Sequence, residues 1–327
     1  MRRSVRIAGV IVLVVVLGVA AAAYYAFDQY RRPGPLPSAA SVIIPKGASV
    51  AGIAQLLEGA QVISTPLSFR LAARLEGADA ALRAGEYQFP AGVSMREALL
   101  KLRSGDTVVR RFTLPEGMTS RQAVALLHDA AGLDGDVAAV PVEGAILPET
   151  YSYAWGDYRA EMIRRMAQAM TTALDELWPA RDPAIPLATP REAVILASIV
   201  EKETAVAAER PRVAAVFLNR LRLGMKLQAD PTVAYAVYGG SDAAQPLTLA
   251  DLQHVSPYNT YVVDGLPPGP IANPGRAALE AVLRPARSDE LFFVADGSGG
   301  HAFARTLDEH QRNVARWHKL NEQTSGQ

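Results

Sequence analysis

The sequence predicts an α+β protein in which a single N-terminal transmembrane helix precedes one or two small α+β modules and a mainly helical region with a short β-hairpin near its C-terminus. Three observations predict this class. They are an uncharged apolar run near the N-terminus, a Pro-x-Gly motif that occurs three times before residue 120, and helical periodicity over most of the chain after residue 148.

The composition excludes several kinds of function. The 327 residues carry 33 basic and 33 acidic side chains, half of the residues are apolar, and there is no cysteine. A nucleic-acid partner is not expected, because neutralising phosphates requires a clustered basic excess. Disulfides, thiolate zinc sites and thiol catalysis are excluded. The five histidines form no ligand-spaced cluster except His310 and His318, which are eight residues apart, so no metal site is predicted.

The first element is the uncharged run Ile7–Phe27. A bilayer core of ~30 Å needs about 20 helical residues, so this run is long enough to span it. Arginines precede the run and aromatic residues end it: Arg2, Arg3 and Arg6 on one side, Tyr24, Tyr25 and Phe27 on the other. This pattern predicts a cytoplasmic segment 1–6, a span over 7–27 in the inner (plasma) membrane, and an exported remainder. A cleaved signal peptide is the alternative, because Ala20–Ala23 offers small residues to a peptidase.

A Pro-rich linker over residues 28–40 leads to the repeated motif. Each copy has an apolar residue, Pro, any residue, Gly, one spacer and a hydroxyl residue that precedes an apolar helix. The copies are Ile44–Ser49, Phe89–Ser94 and Leu114–Thr119. This order predicts a strand, a turn and a helix capped by the hydroxyl, with Ser94 and Glu97 as a capping box. Such units suit one or two α+β modules over about 40–145.

After residue 148 the pattern predicts helices joined by short turns. The first covers Glu161–Trp178, where a row of methionines indicates core packing. The second begins at Thr189 with a capping box to Glu192, and the third covers Arg212–Leu223. The remaining elements are a helix capped by Asp230, a helix capped by Asn273 that runs to Leu283, a hairpin over Leu291–Ala295 and His301–Phe303, and a final helix over Leu307–Leu320.

The helix that begins after Thr189 carries the strongest candidate for chemistry. Ala193–Val200 is apolar almost all round and leads into Glu201-Lys202-Glu203. Glu203 continues the apolar stripe formed by residues three, four and seven positions earlier. Burial against an apolar wall raises the pKa of a carboxyl group, which suits a general acid at neutral pH. The alternative is that both glutamates only solvate the end of the helix.

A set of longer motifs in the same order resembles the core of the MltG (YceG-like) endolytic murein transglycosylases. The matching segments are Leu196–Arg210, Val213–Met225, Leu227–Val233, Pro257–Tyr261, Gly265–Gly269, Ile271–Gly275 and Phe293–Gly297, with His301 after them. The similarity covers essentially the whole chain, including the N-terminal anchor and the Pro-x-Gly motifs.

The resemblance implies a LysM-like domain over 41–108, a catalytic domain over 109–327, and Glu203 as the catalytic glutamate. It implies a lyase that cleaves the bond between N-acetylmuramic acid and N-acetylglucosamine in nascent peptidoglycan. The product is a 1,6-anhydro-N-acetylmuramic acid end, and the cut would end glycan elongation. Peptidoglycan synthases are the expected protein partners, and no cofactor is implied.

Four polar residues in the matching motifs are candidates for sugar binding: Asn219, Gln228, Asn259 and Tyr261. Each could instead cap a helix or satisfy buried backbone, and His301 after its Gly-rich turn could be a substrate contact or structural. Two other functions fit the same residues. One is a non-enzymic peptidoglycan-binding scaffold for synthases, and the other is a two-carboxylate hydrolase that uses Asp230 as its second acid.

Overall fold

The computed structural model describes residues 2–77, 82–240 and 246–325, with side chains from residue 9 to residue 322. Within these residues the chain forms twelve α-helices and three two-stranded sheets, so the predicted α+β class is confirmed. The chain divides into two compact units. The first comprises the described residues up to Arg111 with Ala131–Asp134 and Ser152–Asp157. The second comprises Phe112–Ala130, Gly135–Tyr151 and the described residues from Tyr158 onward.

The first unit begins with helix α1 (Arg2–Arg31). Its stretch Gly9–Arg31 has a mean hydropathy of 2.6, and no part of it is buried within the protein. A helix of this length and apolarity can cross a bilayer. Helix α1 therefore supplies a candidate for the predicted anchor, and its helical structure continues four residues beyond Phe27. The side chains of Arg2, Arg3 and Arg6 lie outside the described residues.

Five elements form a compact body that we call the first module (residues 40–104). They are strand β1 (Ala40–Ile44), helix α2 (Val50–Gly59), helix α3 (Pro66–Leu75), strand β2 (Gly85–Phe89) and helix α4 (Met95–Ser104). Strands β1 and β2 pair antiparallel with Val42 opposite Tyr87. One face of this pair and the apolar faces of the helices enclose the core of the unit, whose largest buried side chains include Leu57, Phe69, Tyr87 and Leu99.

The Pro-rich segment between α1 and β1 is bound to the first module along its length. The Gly34 N–H donates to the carbonyl oxygen of Val93 at 3.2 Å. A Cβ at position 34 would lie 2.3 Å from the same oxygen, so only glycine fits this approach. Two residues later, Leu36 is 5% exposed and belongs to the core of the unit. The connection from α1 is therefore packed structure rather than a free spacer.

All three Pro-x-Gly motifs form the predicted strand, turn and capped helix. The hydroxyl oxygens of Ser49, Ser94 and Thr119 accept from the backbone N–H three residues later. The third copy lies between strand β3 (Arg110–Thr113) and helix α5 (Ser120–His128), and β3 pairs with strand β4 (Thr150–Tyr153). The capping box predicted for Ser94 and Glu97 is confirmed.

The second unit is mainly helical after α5. Its elements are helix α6 (Arg159–Leu177), helix α7 (Pro190–Glu203), helix α8 (Arg210–Arg222), helix α9 (Asp230–Tyr238), helix α10 (Leu249–Leu252), helix α11 (Arg276–Leu283), strands β5 (Phe292–Ala295) and β6 (His301–Ala304), and helix α12 (Leu307–Ser325). The predicted hairpin is confirmed as the antiparallel pair β5–β6. The buried methionines Met162, Met166 and Met170 confirm that the methionine row of α6 packs in the core.

Helix α7 is the centre of the second unit. Every residue from Ala193 to Val200 is buried, and α8, α9 and α11 pack around it. Its N-terminus has the predicted capping box between Thr189 and Glu192, with Pro190 in the first turn. An apolar helix of this kind buries all its apolar surface only when neighbours cover every side. The helices α8, α9 and α11 therefore pack around α7.

Two predicted helix caps are wrong. Helix α9 has Ala229 as its N-cap and Asp230 as its first helical residue, because the Asp230 carboxylate accepts from the distant Tyr261 hydroxyl instead of from its own helix. Helix α11 begins after Gly275. Asn273 is fully buried, and its amide donates to the carbonyl oxygen of Met118 at 3.0 Å. In both cases a tertiary partner replaces the local one.

The cap of α7 provides a test of the local energetics. We expect Thr189→Ala to lower the free energy of unfolding by about 1 kcal/mol, because it removes the oxygen that accepts from Glu192 N–H at 3.2 Å. Thr189→Ser keeps that oxygen and should stay within about 0.5 kcal/mol of the parent. Urea unfolding of the full chain in detergent micelles measures both, and equal stabilities for the two variants would contradict the capping role.

Candidate active site

The candidate site lies at the carboxyl end of helix α7, where the buried stretch meets a cavity. Glu203 is the last residue of α7 and is half-buried. It lines a cavity of about 330 Å³ together with residues from five other parts of the second unit: Phe217, Arg220, Leu227, Gln228, Asp230, Tyr261, Phe292, Phe293, Leu307 and His310. The predicted stripe position of Glu203 therefore places its carboxyl group in a partly apolar cavity.

The surroundings raise the pKa of Glu203 to about 8. Loss of water around the carboxylate is the largest cause, and the negative charge of Asp230 adds to it. The positive charge of Arg220 acts in the opposite direction. At neutral pH most Glu203 side chains are therefore protonated, and they can donate a proton to a group bound in the cavity.

Arg220 is a buried cation in the same cavity and is 8% exposed. Its Nε donates to the carbonyl oxygen of Leu291 at 2.7 Å, and its Nη1 donates to that of Leu227 at 2.6 Å. The guanidinium also lies 5.3 Å from the ring centre of Phe292. No carboxylate lies within ion-pair distance of it in the described part of the chain. Backbone dipoles thus hold the guanidinium in place, and its charge acts on the cavity.

Asp230 and Tyr261 form a hydrogen-bonded pair on the cavity wall. The Tyr261 hydroxyl donates to Asp230 Oδ1 at 2.6 Å. Burial and the neighbouring Asp230 raise the pKa of Tyr261, so the tyrosine remains a donor. Gln228 lines the same wall with a left-handed backbone (φ 51°), and its N–H donates to the carbonyl oxygen of Thr260 at 3.1 Å. Two of the four predicted sugar-binding residues, Gln228 and Tyr261, thus lie together beside Glu203.

The other two predicted sugar-binding residues lie outside the cavity wall. The Asn219 amide donates to the carbonyl oxygens of Ser288 and Glu290 at 2.9 and 3.0 Å. Asn259 is fully buried, and its Oδ1 accepts from the N–H of Tyr261 at 2.9 Å. Both amides thus hold loops, and Asn259 fixes the backbone that presents Tyr261. Their contact with sugar stays a prediction.

Two histidines lie near the hairpin. His301 does not line the cavity, and its Nδ1 lies 2.7 Å from a carboxylate oxygen of Glu209. His310, on α12, does line it and stacks on Phe292 with 5.1 Å between ring centres. Its Nδ1 is buried without a hydrogen-bond partner in the described part of the chain. Burial and the charge of Arg220 lower the pKa of His310, so this ring is neutral at neutral pH.

Glu201 does not line the cavity and belongs to a separate polar network. Its side chain is 3% exposed, accepts from the Gly275 N–H at 2.9 Å and pairs with Arg210 at 2.9 Å. Arg210 also pairs with Glu116, whose carboxylate would lie 2.0 Å from a Cβ at position 275. The interpretation of Glu201 as a solvated helix end is therefore wrong. This network ties the end of α7 to α8, to the start of α11 and to the third Pro-x-Gly turn.

Sequence reasoning missed Arg220 and His310. Arg220 lies seven residues after Val213 and four after Val216, which puts it on the buried stripe of α8. This spacing could have predicted a buried cation. His310 is on a polar terminal helix with no such signal. Over the described residues no group of three or more potential ligands is arranged to hold a metal ion.

Comparison with known proteins gives a consistent result. The sequence model of the YceG-like family matches residues 42–316. A Bacillus subtilis (strain 168) protein named endolytic murein transglycosylase is 31% identical over 303 residues, which cover 83% of each chain. A Streptococcus pneumoniae (serotype 2, strain D39) protein of the same name is 30% identical. The match covers 94% of this chain and 64% of that protein.

A solved structure has the same fold. The crystal structure of a yceG-like protein from Listeria monocytogenes aligns with a TM-score of 0.53 and 29% identity, over 84% of this chain and 98% of that one. The family model covers well over half of the chain, and the residues that line the Glu203 cavity lie within its limits. This chain therefore belongs to the YceG-like family.

Proposed function

We propose that this protein is a membrane-anchored endolytic lytic transglycosylase, a lyase that cleaves peptidoglycan glycan strands between N-acetylmuramic acid and N-acetylglucosamine. The observation that carries the proposal is a carboxyl group with a pKa of about 8 that lines a cavity at the end of a buried helix. The relatives named endolytic murein transglycosylase support the same reaction.

Glu203 is the catalytic acid and base in this proposal. Its protonated carboxyl group gives its proton to the glycosidic oxygen, and the bond from that oxygen to C1 of the muramic acid breaks. The resulting carboxylate takes the proton of the muramyl 6-hydroxyl, whose oxygen forms the new bond to C1. Glu203 is thereby protonated again, and no water is consumed. The product strand ends in a 1,6-anhydro ring.

Two charges near Glu203 adjust this cycle. Asp230 favours the protonated acid that begins the reaction, and its negative charge also stabilises positive charge that develops on the sugar ring. Arg220 stabilises the carboxylate that exists between the two proton transfers. Tyr261 and Gln228 supply hydroxyl and amide groups on the same wall for binding the sugar.

The remaining parts of the chain have matching roles. Residues 41–108 form a LysM-like glycan-binding domain and residues 109–327 the catalytic domain. Helix α1 crosses the inner (plasma) membrane once with its N-terminus in the cytoplasm, and the rest of the chain is extracytoplasmic. The cut ends the elongation of nascent strands made by peptidoglycan synthases. The succession of β1, α2, α3 and β2 and the apolarity of α1 support these assignments.

The proposed role of Glu203 can be tested by removing its carboxyl group. In Glu203→Gln the carboxyl proton donor is lost, so formation of anhydro ends should fall about a hundredfold or more. The full chain in detergent is incubated with purified peptidoglycan, and the products are counted by mass spectrometry. Glu322→Gln, an exposed glutamate on α12, is the matched control and should keep full activity.

Three outcomes would contradict the proposal. Undiminished activity in Glu203→Gln would remove Glu203 from the mechanism. Reducing ends that carry the mass of water, formed instead of anhydro ends, would indicate a two-carboxylate hydrolase. Binding of glycan without any cleavage by the parent chain would favour the scaffold alternative.

The activity should depend on pH through the protonation of Glu203. The raised pKa of Glu203 means that the active acid form is present below about 8 and is lost above it. We therefore expect kcat/KM to fall about tenfold per pH unit above pH 8. In Asp230→Asn the carboxylate of Glu203 is no longer repelled by a charge at position 230, so the pKa of Glu203 should fall. The alkaline limb of the pH profile, where the rate decreases with rising pH, should then move to lower pH.

Tyr261→Phe is the control for that shift. It removes the hydrogen bond to Asp230 but keeps the Asp230 charge, so the limb should not move to lower pH even if the rate changes. The rate of anhydro-end formation is measured at fixed ionic strength between pH 5 and pH 10 for the parent, Asp230→Asn and Tyr261→Phe. If the alkaline limb of Asp230→Asn lies at the same pH as that of the parent, the Asp230 charge does not raise the pKa of Glu203.

A further inference from the structure

We propose that helix α3 of the first module binds the outer surface of the membrane, with a stripe of three leucines among the lipid acyl chains and two arginines on anionic lipid headgroups. This interaction surface is distinct from the catalytic cavity. It rests on the anchoring of α1 that forms part of the proposed function, and it adds a second contact with the same bilayer.

Helix α3 is apolar on two sides. Phe69 and Ala73 are fully buried in the core of the first unit. Leu67, Leu71 and Leu75 follow one another at four-residue intervals and are 71%, 53% and 78% exposed. Single exposed leucines are common on soluble proteins, but three on one stripe of a ten-residue helix form a continuous apolar ridge. Covering such a ridge with another apolar surface would remove apolar area from water and is favourable.

The contact between α3 and α1 sets the depth of this ridge. Leu71 and Leu75 line a cavity of about 410 Å³ whose opposite wall includes Ala23, Ala26 and Phe27 of α1. The apolar run of α1 ends at Phe27, and a span of about 20 residues fills the ~30 Å hydrocarbon core. Side chains that face Ala23–Phe27 therefore lie at the boundary between acyl chains and headgroups.

Further contacts hold α3 at this depth. The Tyr30 hydroxyl of α1 donates to the carboxylate of Glu76, the residue that ends α3. Glu76 also pairs with Arg103 of α4 at 3.0 Å. The packed segment with Gly34 and Leu36 closes the connection from α1 to the module. Because α1 and α3 are linked through side chains and through the chain itself, inserting α1 also brings the ridge to the bilayer.

The charge beside the ridge matches a lipid surface. Arg70 and Arg74 are exposed and, together with Leu67 and Leu71, line a shallow depression between α3 and the start of α2. Long arginine side chains at this depth can keep their stems in the apolar layer and place their guanidinium groups at phosphates. Leucines beside basic residues on one helix face are the pattern of an interfacial helix. These charges favour anionic lipid over the apolar span of another protein.

The absence of cysteine makes a direct test practical. Single cysteines replace Leu67, Leu71 or Leu75 in the full chain, each carries a spin label, and the protein is placed in nanodiscs of phosphatidylethanolamine and phosphatidylglycerol. For each label, the rate of collision with dissolved oxygen is divided by the rate of collision with a water-soluble nickel complex, which gives the oxygen-to-nickel ratio. Leu17→Cys, inside the span, is the lipid reference, and Leu223→Cys, an exposed leucine of the second unit, is the water reference.

We expect the oxygen-to-nickel ratio at the three α3 positions to lie between the ratios at Leu17 and Leu223, because these leucines reach the boundary of the acyl chains whereas Leu17 is at the middle of the span. It should exceed the ratio at Leu223 by roughly an order of magnitude, since hydrocarbon excludes the nickel complex. In Arg70→Gln/Arg74→Gln, which alters only exposed side chains, the ratio for a label at position 71 should fall severalfold. The protein labelled at position 71 that keeps both arginines should show the same fall when phosphatidylcholine replaces the phosphatidylglycerol.

The outcomes separate the two proposals. A lipid-like ratio at Leu17 with water-like ratios on α3 would overturn the inference and leave the anchor intact. A water-like ratio at Leu17 would overturn the anchoring and the inference with it, without bearing on the Glu203 assay. Exclusion of both reagents at position 71, with short distances between spin labels, would show that a second copy of the chain covers the ridge.

Discussion

The second unit depends on the complete enclosure of helix α7. Eight consecutive residues of this helix are buried, so each neighbouring helix must supply an apolar face to it. The enclosure stops at Glu203, where the helix ends beside a cavity. A carboxyl group at that point cannot be hydrated as it would be on a surface, and its raised pKa is a direct result of the packing around it. The raised pKa thus comes chiefly from burial, and the charges of Asp230 and Arg220 adjust it.

A buried helix that ends in a carboxyl group at a cavity must also be held along its axis. Glu201 and Arg210 do this from the side away from the cavity, with bonds to Gly275 and Glu116. The two glutamates of one short motif therefore have different tasks. One is neutralised by a cation and a backbone N–H and locates the helix end, whereas the other faces the cavity. Leaving either partner of the buried pair alone would be costly, so the network keeps a single arrangement.

Local features of the sequence predicted local structure well. The Pro-x-Gly motifs and the cap of α7 were predictable because each involves partners within three residues, and all of them form as predicted. Asp230 and Asn273 have the same residue types as helix caps, yet their side chains bind Tyr261 and Met118 from distant parts of the chain. No spacing along the sequence encodes such pairs. Glu203 was predictable because its place on the buried stripe follows from the spacing within its own helix, whereas His310 reaches the cavity only through the packing of α12.

The docked segment at Gly34 and Leu36 has a consequence for how the protein searches for its substrate. A domain on a free tether explores a hemisphere whose radius is set by the tether length, and its effective concentration falls as that length grows. Here the chain between α1 and the first module has no such freedom, because it is fixed by a backbone hydrogen bond and a core side chain. With α1 in a bilayer, the first module can only diffuse in the plane and rotate about the membrane normal. Encounters between strands and the glycan-binding first module of the proposed function would then take place in a thin layer at one height, so they would depend on the amount of strand per membrane area rather than per volume.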